Sequence, residues 1–97
     1  MKFERVHVVI SGQVQGIGFR AAAHEAAKNL GVVGWVRNRP DGDVESTVEG
    51  TREQVQNFVE WCRKGPAGSV VVKVRVEHSE ATYEFQGFTV APTEFRN

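Results

Sequence analysis

Residues 14–20, Val-Gln-Gly-Ile-Gly-Phe-Arg, combine residue types that suit a phosphate-binding loop. Gly16 and Gly18 carry no Cβ and accept positive φ, so the backbone around them can turn several N–H groups inward. A helix that begins at the end of this loop directs its free N–H groups and partial positive charge into the same cavity. Arg20 adds a planar guanidinium that matches phosphate oxygens. The loop therefore predicts a cradle for a tetrahedral anion. The alternative is that the glycines only make a tight connection and Arg20 pairs with a carboxylate.

Three other phosphate-binding motifs fit these residues less well. The spacing Gly16-x-Gly18-x-x-Ala21 matches a dinucleotide fingerprint, but the next strand leads into a hairpin and not into a second helix. A P-loop requires Gly-Lys-Ser/Thr, which the sequence lacks here. A phosphatase loop with a cysteine nucleophile would have that cysteine where Val14 stands. The predicted cradle therefore has no nucleophile of its own.

The elements that must position this cradle follow from hydrophobic periodicity and from turn residues. Gly31 is typical of a helix C-terminus, and Thr51 with Gln54 three residues later predicts the capping box of a second helix. The predicted elements are strands at residues 6–12, 32–38, 44–48, 70–77 and a short 85–90, and helices at residues 20–30 and from Thr51 to Gly65-Pro66.

The order β-α-β-β-α-β predicts an α+β fold, a ferredoxin-like sandwich with an antiparallel sheet and two helices on one face. The first two strands then run parallel with the third between them, so their carboxyl ends share one edge, about 10 Å apart. The cradle and Asn38 meet at this edge. We also expect Trp35 and Trp61 as core anchors, Ser46 on the core face of its strand, and Cys62 as a small buried residue.

Composition limits the class of protein. The 97 residues suit one domain, residues 1–97, in which 12 basic and 12 acidic residues cancel. No overall field attracts nucleic acid or an anionic membrane, and no apolar run is long enough to span a bilayer. The single cysteine excludes an internal disulfide, and the three histidines have no spacing typical of a metal site. We expect a cytoplasmic monomer that needs neither metal nor cofactor and binds neither nucleic acid nor membrane.

Two stretches resemble the acylphosphatase family. Residues 10–20, Ile-Ser-Gly-Gln-Val-Gln-Gly-Ile-Gly-Phe-Arg, resemble its first signature, and residues 34–38, Gly-Trp-Val-Arg-Asn, with Gly42, Val44 and Gly50 after them, resemble its second. The resemblance extends over residues 6–90. Members of this family are small ferredoxin-like enzymes that hydrolyse the carboxyl-phosphate bond of acyl phosphates. The resemblance implies a small-molecule acyl phosphate as substrate, inorganic phosphate as product and competitor, and no metal.

The resemblance also implies roles for individual residues. Asn38 positions the attacking water, and the substrate phosphate is bound by Gln15, Gly16, Ile17, Gly18, Phe19 and Arg20. These roles make chemical sense, because the leaving carboxylate has a conjugate acid of pKa about 4 and needs no general acid. The Ala21-Ala22-Ala23 stretch is smaller than in many relatives, which leaves the acyl specificity open.

Two other functions remain as alternatives. A non-catalytic phosphate-binding regulatory domain would have the same fold, although intact Arg20 and Asn38 argue against it. An RNA-binding module uses the same order of elements and stacks bases on its sheet. The third predicted strand has no aromatic pair for such stacking and the net charge is zero, which argues against RNA binding.

Overall fold

The chain forms one five-stranded sheet and two helices. A computed structural model describes residues 2–93; Met1 and residues 94–97, the ends of the expected domain, lie outside the described residues. In chain order the elements are β1 (Glu4–Gln13), α1 (Phe19–Leu30), β2 (Val33–Asn38), β3 (Val44–Gly50), α2 (Arg52–Lys64), β4 (Val70–Glu80) and β5 (Phe88–Val90). Every predicted element is present, and the last strand is shorter than expected because it begins at Phe88.

The strand order in the sheet is β4-β1-β3-β2-β5. β1 pairs antiparallel with β3 and β4, and β2 pairs antiparallel with β3, so the predicted ferredoxin-like arrangement is confirmed. The sheet is mixed and not wholly antiparallel, because β5 adds a parallel strand at the free edge of β2. The N–H of Gly34 donates to Gly87 O at 2.9 Å, and that of Ala91 donates to Val36 O at 2.8 Å. β5 thereby reaches the edge of the sheet where β2 ends.

Both helices pack on one face of the sheet, which strand alternation makes apolar. On β1 the inward residues are Val6, Val8 and Ile10, all fully buried. α1 contributes small side chains, among them the buried Ala23 and Ala27, so its backbone can lie close to the strands. α2 contributes the buried residues Val55, Phe58 and Cys62. Burying an aliphatic side chain of this kind contributes about 1.5–3 kcal/mol.

The helix termini agree with the sequence. Gly31 ends α1 in the left-handed conformation, and its N–H donates to Ala27 O at 2.9 Å. At the start of α2 the Gln54 N–H donates to Thr51 Oγ1 at 3.3 Å, and the Thr51 N–H donates to Gln54 Oε1 at 2.9 Å. This is the predicted capping box. In the described part of the chain, neither helix is long and apolar enough to cross a membrane.

Of the four expected core positions, Ser46, Trp61 and the fully buried Cys62 are confirmed and Trp35 is wrong. Ser46 lies in the core and its hydroxyl donates to Trp35 O at 2.6 Å, and Trp61 packs against the core with its ring 5.4 Å from that of Phe19. Trp35 was expected in the core as well, but its neighbour Val36 is buried there, and adjacent strand residues point to opposite faces. The indole lies instead under the Arg37 guanidinium, 4.8 Å from the ring centre.

A buried carboxylate fastens the segment between β4 and β5 to the sheet. Glu49 of β3 is fully buried and accepts hydrogen bonds from the Thr82 N–H at 2.8 Å and the Tyr83 N–H at 3.0 Å. Arg5 Nη1 lies 3.3 Å from the same carboxylate. These contacts fix the chain after β4 and set its path toward β5.

Candidate active site

A cavity opens where β1, α1, β2 and β5 meet, at the edge of the sheet that the topology predicts. Its volume is about 300 Å³. The lining residues are Val14, Gly16, Gly18, Phe19, Arg20, Ala21, Asn38 and Val90. The structure therefore brings the glycine loop, Arg20 and Asn38 together, although most of α1 and the whole of β2 separate Arg20 from Asn38 in the sequence.

The loop before α1 has the backbone of an anion cradle. Gly16 has φ 78° and Gly18 has φ 79°, a left-handed conformation that residues with a Cβ rarely adopt. No atom lies within 4 Å of a Cβ built at either position, so the glycines are needed for their conformation and not for space. Gly18 is the N-cap of α1, and no side chain caps this helix. Its first N–H groups are therefore left for a ligand.

Arg20 lies in the first turn of α1 and lines the cavity. Within residues 2–93 its guanidinium has no carboxylate partner and makes no hydrogen bond, so the alternative in which Arg20 pairs with a carboxylate is wrong for this part of the chain. A cation at a helix N-terminus is disfavoured by the helix dipole, and the first turn of α1 has no acidic residue. An anion in the cavity would compensate both positive groups.

Asn38 is the last residue of β2, in register with Val44 of β3. Its Oδ1 atom is buried and has no hydrogen-bond partner among the described residues. An unsatisfied buried acceptor costs about 1–3 kcal/mol, so its presence calls for an explanation. A water or ligand in the cavity would supply the missing donor.

The side chain of Gln15 is bound to the turn after β2, which leaves its expected backbone role untouched. Its side-chain amide donates to Arg39 O at 2.8 Å and to Asp43 O at 2.9 Å, both in the turn that joins β2 and β3. Since these bonds use both amide protons, the side chain cannot also donate to a phosphate, and Gln15 can contribute only through its backbone. The side chain ties the cradle to the turn that follows Asn38.

Ile17 and Phe19 also contribute through the backbone. The side chain of Ile17 is 37 % exposed and is absent from the cavity lining. The ring of Phe19 is buried and lies edge-on to Trp61, which anchors the end of the cradle to the core. Neither side chain has a group that binds phosphate.

The remaining charged residues near Asn38 are engaged elsewhere. Arg37 Nε donates to Glu45 Oε1 at 2.6 Å, and Arg39 Nη2 lies 2.9 Å from Asp41 Oδ2. A hydrogen bond from the Asp43 N–H, supported by Arg39, lowers the pKa of the Asp41 carboxyl below its ordinary value. Neither arginine lines the cavity.

The sequence did not predict that Val90 belongs to the site. Its strand has three residues and its pairing partner, β2, is more than fifty positions earlier, so no local pattern marks it. The sequence did indicate that the small residues of the Ala21-Ala23 stretch could affect acyl specificity. In the structure Ala21 lines the cavity, whereas Ala23 is buried in the core.

No group of three or more His, Cys, Asp and Glu residues that could hold a metal ion is present between residues 2 and 93. Cys62 lies in the core, where burial raises the pKa of its thiol far above the ordinary value. It is therefore neither a nucleophile nor a metal ligand at this site.

The fold and the cavity define a class: ferredoxin-like proteins with a glycine-rich loop and a cavity after the first strand. The acylphosphatase family model matches residues 6–90. An acylphosphatase from Pelotomaculum thermopropionicum is 50 % identical over 91 residues, which is 94 % of this chain and 99 % of that protein. The chain belongs to the acylphosphatase family.

Solved structures agree with this assignment. An acylphosphatase from Coxiella burnetii superposes with a TM-score of 0.87 at 33 % identity, over 93 % of this chain and 94 % of that one. The acylphosphatase from Bacillus subtilis gives the same TM-score and identity over 91 % and 98 %. The resemblance in the two signatures is thereby confirmed, and with it the hydrolysis of acyl phosphates as the function of this chain.

Proposed function

We propose that the chain hydrolyses acyl phosphates by direct in-line attack of water, with Arg20 and the loop from Gln15 to Phe19 holding the phosphate and Asn38 positioning the water. One observation carries the proposal. The Arg20 guanidinium and the buried Asn38 Oδ1, neither of which has a partner among residues 2–93, line one cavity at the N-terminus of α1. The guanidinium can bind an anion, and the amide oxygen can accept a hydrogen bond from a water.

The cradle and Arg20 act on the phosphoryl group. Their N–H donors bind its non-bridging oxygens, whose charge must be stabilised as the acyl oxygen departs. Because the donors are fixed by the αL glycines and by the start of α1, little reorganisation is needed during the reaction. Arg20 also offers two parallel N–H groups, a geometry that lysine lacks.

Asn38 acts on the nucleophile. Its Oδ1 accepts a hydrogen bond from one water, which orients a lone pair of that water toward phosphorus. The new bond joins the water oxygen to phosphorus, and the bond from phosphorus to the acyl oxygen breaks with its electron pair retained by the carboxylate. An amide is too weak a base to take the water's proton, which passes to a phosphate oxygen. The products are a carboxylate and inorganic phosphate.

The cavity lining supports attack by water without a covalent intermediate. In the described part of the chain the lining residues include no Ser, Cys, Asp, Glu or His, so none of residues 2–93 offers a nucleophile or a carboxylate base to the phosphate. The carboxylate is a good leaving group at neutral pH, since its conjugate acid has a pKa of about 4. We therefore propose that the reaction needs neither metal nor cofactor.

We further propose that the protein works as a monomer in the cytoplasm and does not bind nucleic acid. One copy supplies the cradle, Arg20, Asn38 and Val90, so a second copy is not needed to complete the cavity. The zero net charge gives no general attraction to polyanions. The free, buried Cys62 is compatible with a reducing compartment.

The test is the hydrolysis of benzoyl phosphate in the presence of EDTA, with inorganic phosphate as competitor. Arg20→Ala should abolish phosphate binding and turnover, and Asn38→Ala should remove turnover while phosphate still binds. Arg52→Ala and Asn57→Ala, which change exposed residues of the same types on α2, serve as controls. Substantial turnover by Asn38→Ala would contradict the water-positioning role. Phosphate binding without any wild-type turnover would favour a non-catalytic phosphate-binding domain.

A further inference from the structure

The part of the cavity that is not needed for phosphate is apolar. Its lining has one charged side chain, Arg20, and one amide, Asn38, and both have roles at the phosphate and the water. Val14 and Phe19 are buried and form the inner wall. Ala21 and Val90 are exposed, Val90 to 44 %, so they form the wall of the cavity on its solvent side.

We propose, on the basis of the proposed function, that Ala21 and Val90 form the surface that receives the acyl group, and that this surface selects uncharged apolar acyl groups over acyl groups with a second carboxylate. Ala21 belongs to the same first turn of α1 as Arg20, and Val90 pairs with Val36, two residues before Asn38. Gly16 and Gly18 are also exposed lining residues but belong to the cradle, so an acyl group attached to a phosphate in the cradle extends past Ala21 and Val90.

The charges around the cavity determine the selectivity. Arg20 is occupied by the substrate phosphate, Arg39 is paired with Asp41, and Arg37 is paired with Glu45 on the other face of the sheet. Among residues 2–93, a second carboxylate on the acyl group would thus find no cation in the cavity lining besides the occupied Arg20, and it would lose part of its hydration against methyl groups. A phenyl or alkyl group would gain from covering the same surface.

The experiment measures kcat/KM for acetyl, benzoyl and succinyl phosphate, which carry a small, an apolar and a carboxylate-bearing acyl group. Val90→Lys and Ala21→Lys each introduce an ammonium group at the proposed surface. The matched control is Thr89→Lys, which makes the same charge change at the adjacent exposed residue of β5, on the opposite face of the sheet.

We expect both test variants to raise the ratio of kcat/KM for succinyl phosphate to that for benzoyl phosphate by about fivefold, the effect of one exposed ion pair of about 1 kcal/mol. Thr89→Lys should leave the ratio as in the wild type. A ratio that is unchanged in both test variants while acetyl phosphate is still hydrolysed would overturn the acyl assignment alone. Absence of wild-type turnover with all three substrates would overturn the proposed function, and the acyl assignment with it.

Discussion

The side-chain amide of Gln15 donates a 2.8 Å hydrogen bond to the carbonyl oxygen of Arg39, across 24 positions of the sequence. The bond joins the start of the phosphate cradle to the residue directly after Asn38. A second bond to Asp43 O, at 2.9 Å, fixes the same amide to the other end of the turn. Besides the pairing of β1 and β2 with β3, this side chain fixes the position of the glycine loop relative to Asn38.

Gln15→Leu should therefore impair catalysis and stability together. The substitution removes two hydrogen bonds, each of which contributes about 0.5–1.5 kcal/mol, and it releases the cradle from the turn. The Arg39 and Asp43 carbonyls keep the N–H groups of Gly42 and Arg39 as donors. Urea unfolding should register the lower stability, and kinetics with benzoyl phosphate should give a lower kcat and weaker inhibition by phosphate. Gln56→Leu, at an exposed position of α2, is the control. If the two variants behave alike, the hydrogen bonds of the Gln15 side chain have no role in the site.

Substitutions at two glycines should separate folding from phosphate binding. Gly16 has φ 78° and open space around a Cβ, so Gly16→Ala should cost only the left-handed backbone penalty of about 1–2 kcal/mol. A Cβ at Gly34 would lie 1.9 Å from Thr47 O, so Gly34→Ala should prevent the pairing of β2 with β3.

Thermal unfolding and the inhibition constant of phosphate measure the two effects. We expect Gly16→Ala to remain folded with phosphate affinity at least tenfold weaker, about 1.4 kcal/mol, because the cradle N–H groups turn away. Wild-type affinity in Gly16→Ala would mean that the N–H groups of this part of the loop do not bind phosphate.

The sequence was sufficient for the order of elements and for the convergence of the glycine loop, Arg20 and Asn38 on one cavity, because both depend on local signals. Alternating valines mark β1, Thr51 and Gln54 mark the start of α2, and glycines with an arginine mark the cradle. Asn38 could be assigned because the order of elements fixes which strand ends meet at one edge. Such signals lie within a few residues of the feature that they predict.

What the sequence missed depends on contacts between distant segments. The direction of the Gln15 side chain is set by carbonyl oxygens of a turn that forms only when β1 and β2 lie in one sheet. Trp35 was expected in the core because it is large and apolar, but the register of β2 gives that place to Val36. Val90 enters the site through a parallel pairing with no local pattern.

Glu49→Gln should loosen the segment that leads into β5. The carboxylate is fully buried and accepts from the Thr82 and Tyr83 N–H groups and from Arg5, whereas an amide presents an NH₂ group to one of these donors. A buried N–H donor that loses its acceptor costs about 1–3 kcal/mol, whereas the partly exposed Arg5 keeps Glu84 as its partner. Denaturant unfolding should therefore give a lower free energy of unfolding for Glu49→Gln than for Glu53→Gln, an exposed control on α2. Equal stability of the two variants would contradict this role of Glu49.

Cys62 should be unreactive in the folded protein. Burial raises the pKa of its thiol, so the reactive thiolate is suppressed at neutral pH and stays suppressed as the pH rises to about 9. Labelling with a thiol reagent should be slow in buffer at both pH values and fast in denaturant. Cys62→Ala should keep its turnover number, because this side chain lies in the core and outside the cavity lining. Rapid labelling of the native protein would mean that α2 separates readily from the sheet.

The position of β1 in the middle of the sheet, between β3 and β4, has a consequence for the newly made chain. β1 cannot complete its pairing until residues 70–80 have been synthesised, and the cavity is not closed until Val90 has followed. Synthesis at about 5–20 residues per second separates the cradle from Val90 by roughly 4–14 s. Folding that depends on such distant pairings is also intrinsically slow. During translation the glycine loop is therefore synthesised seconds before the segments that complete the cavity, and the cavity can form only after Val90 has been added.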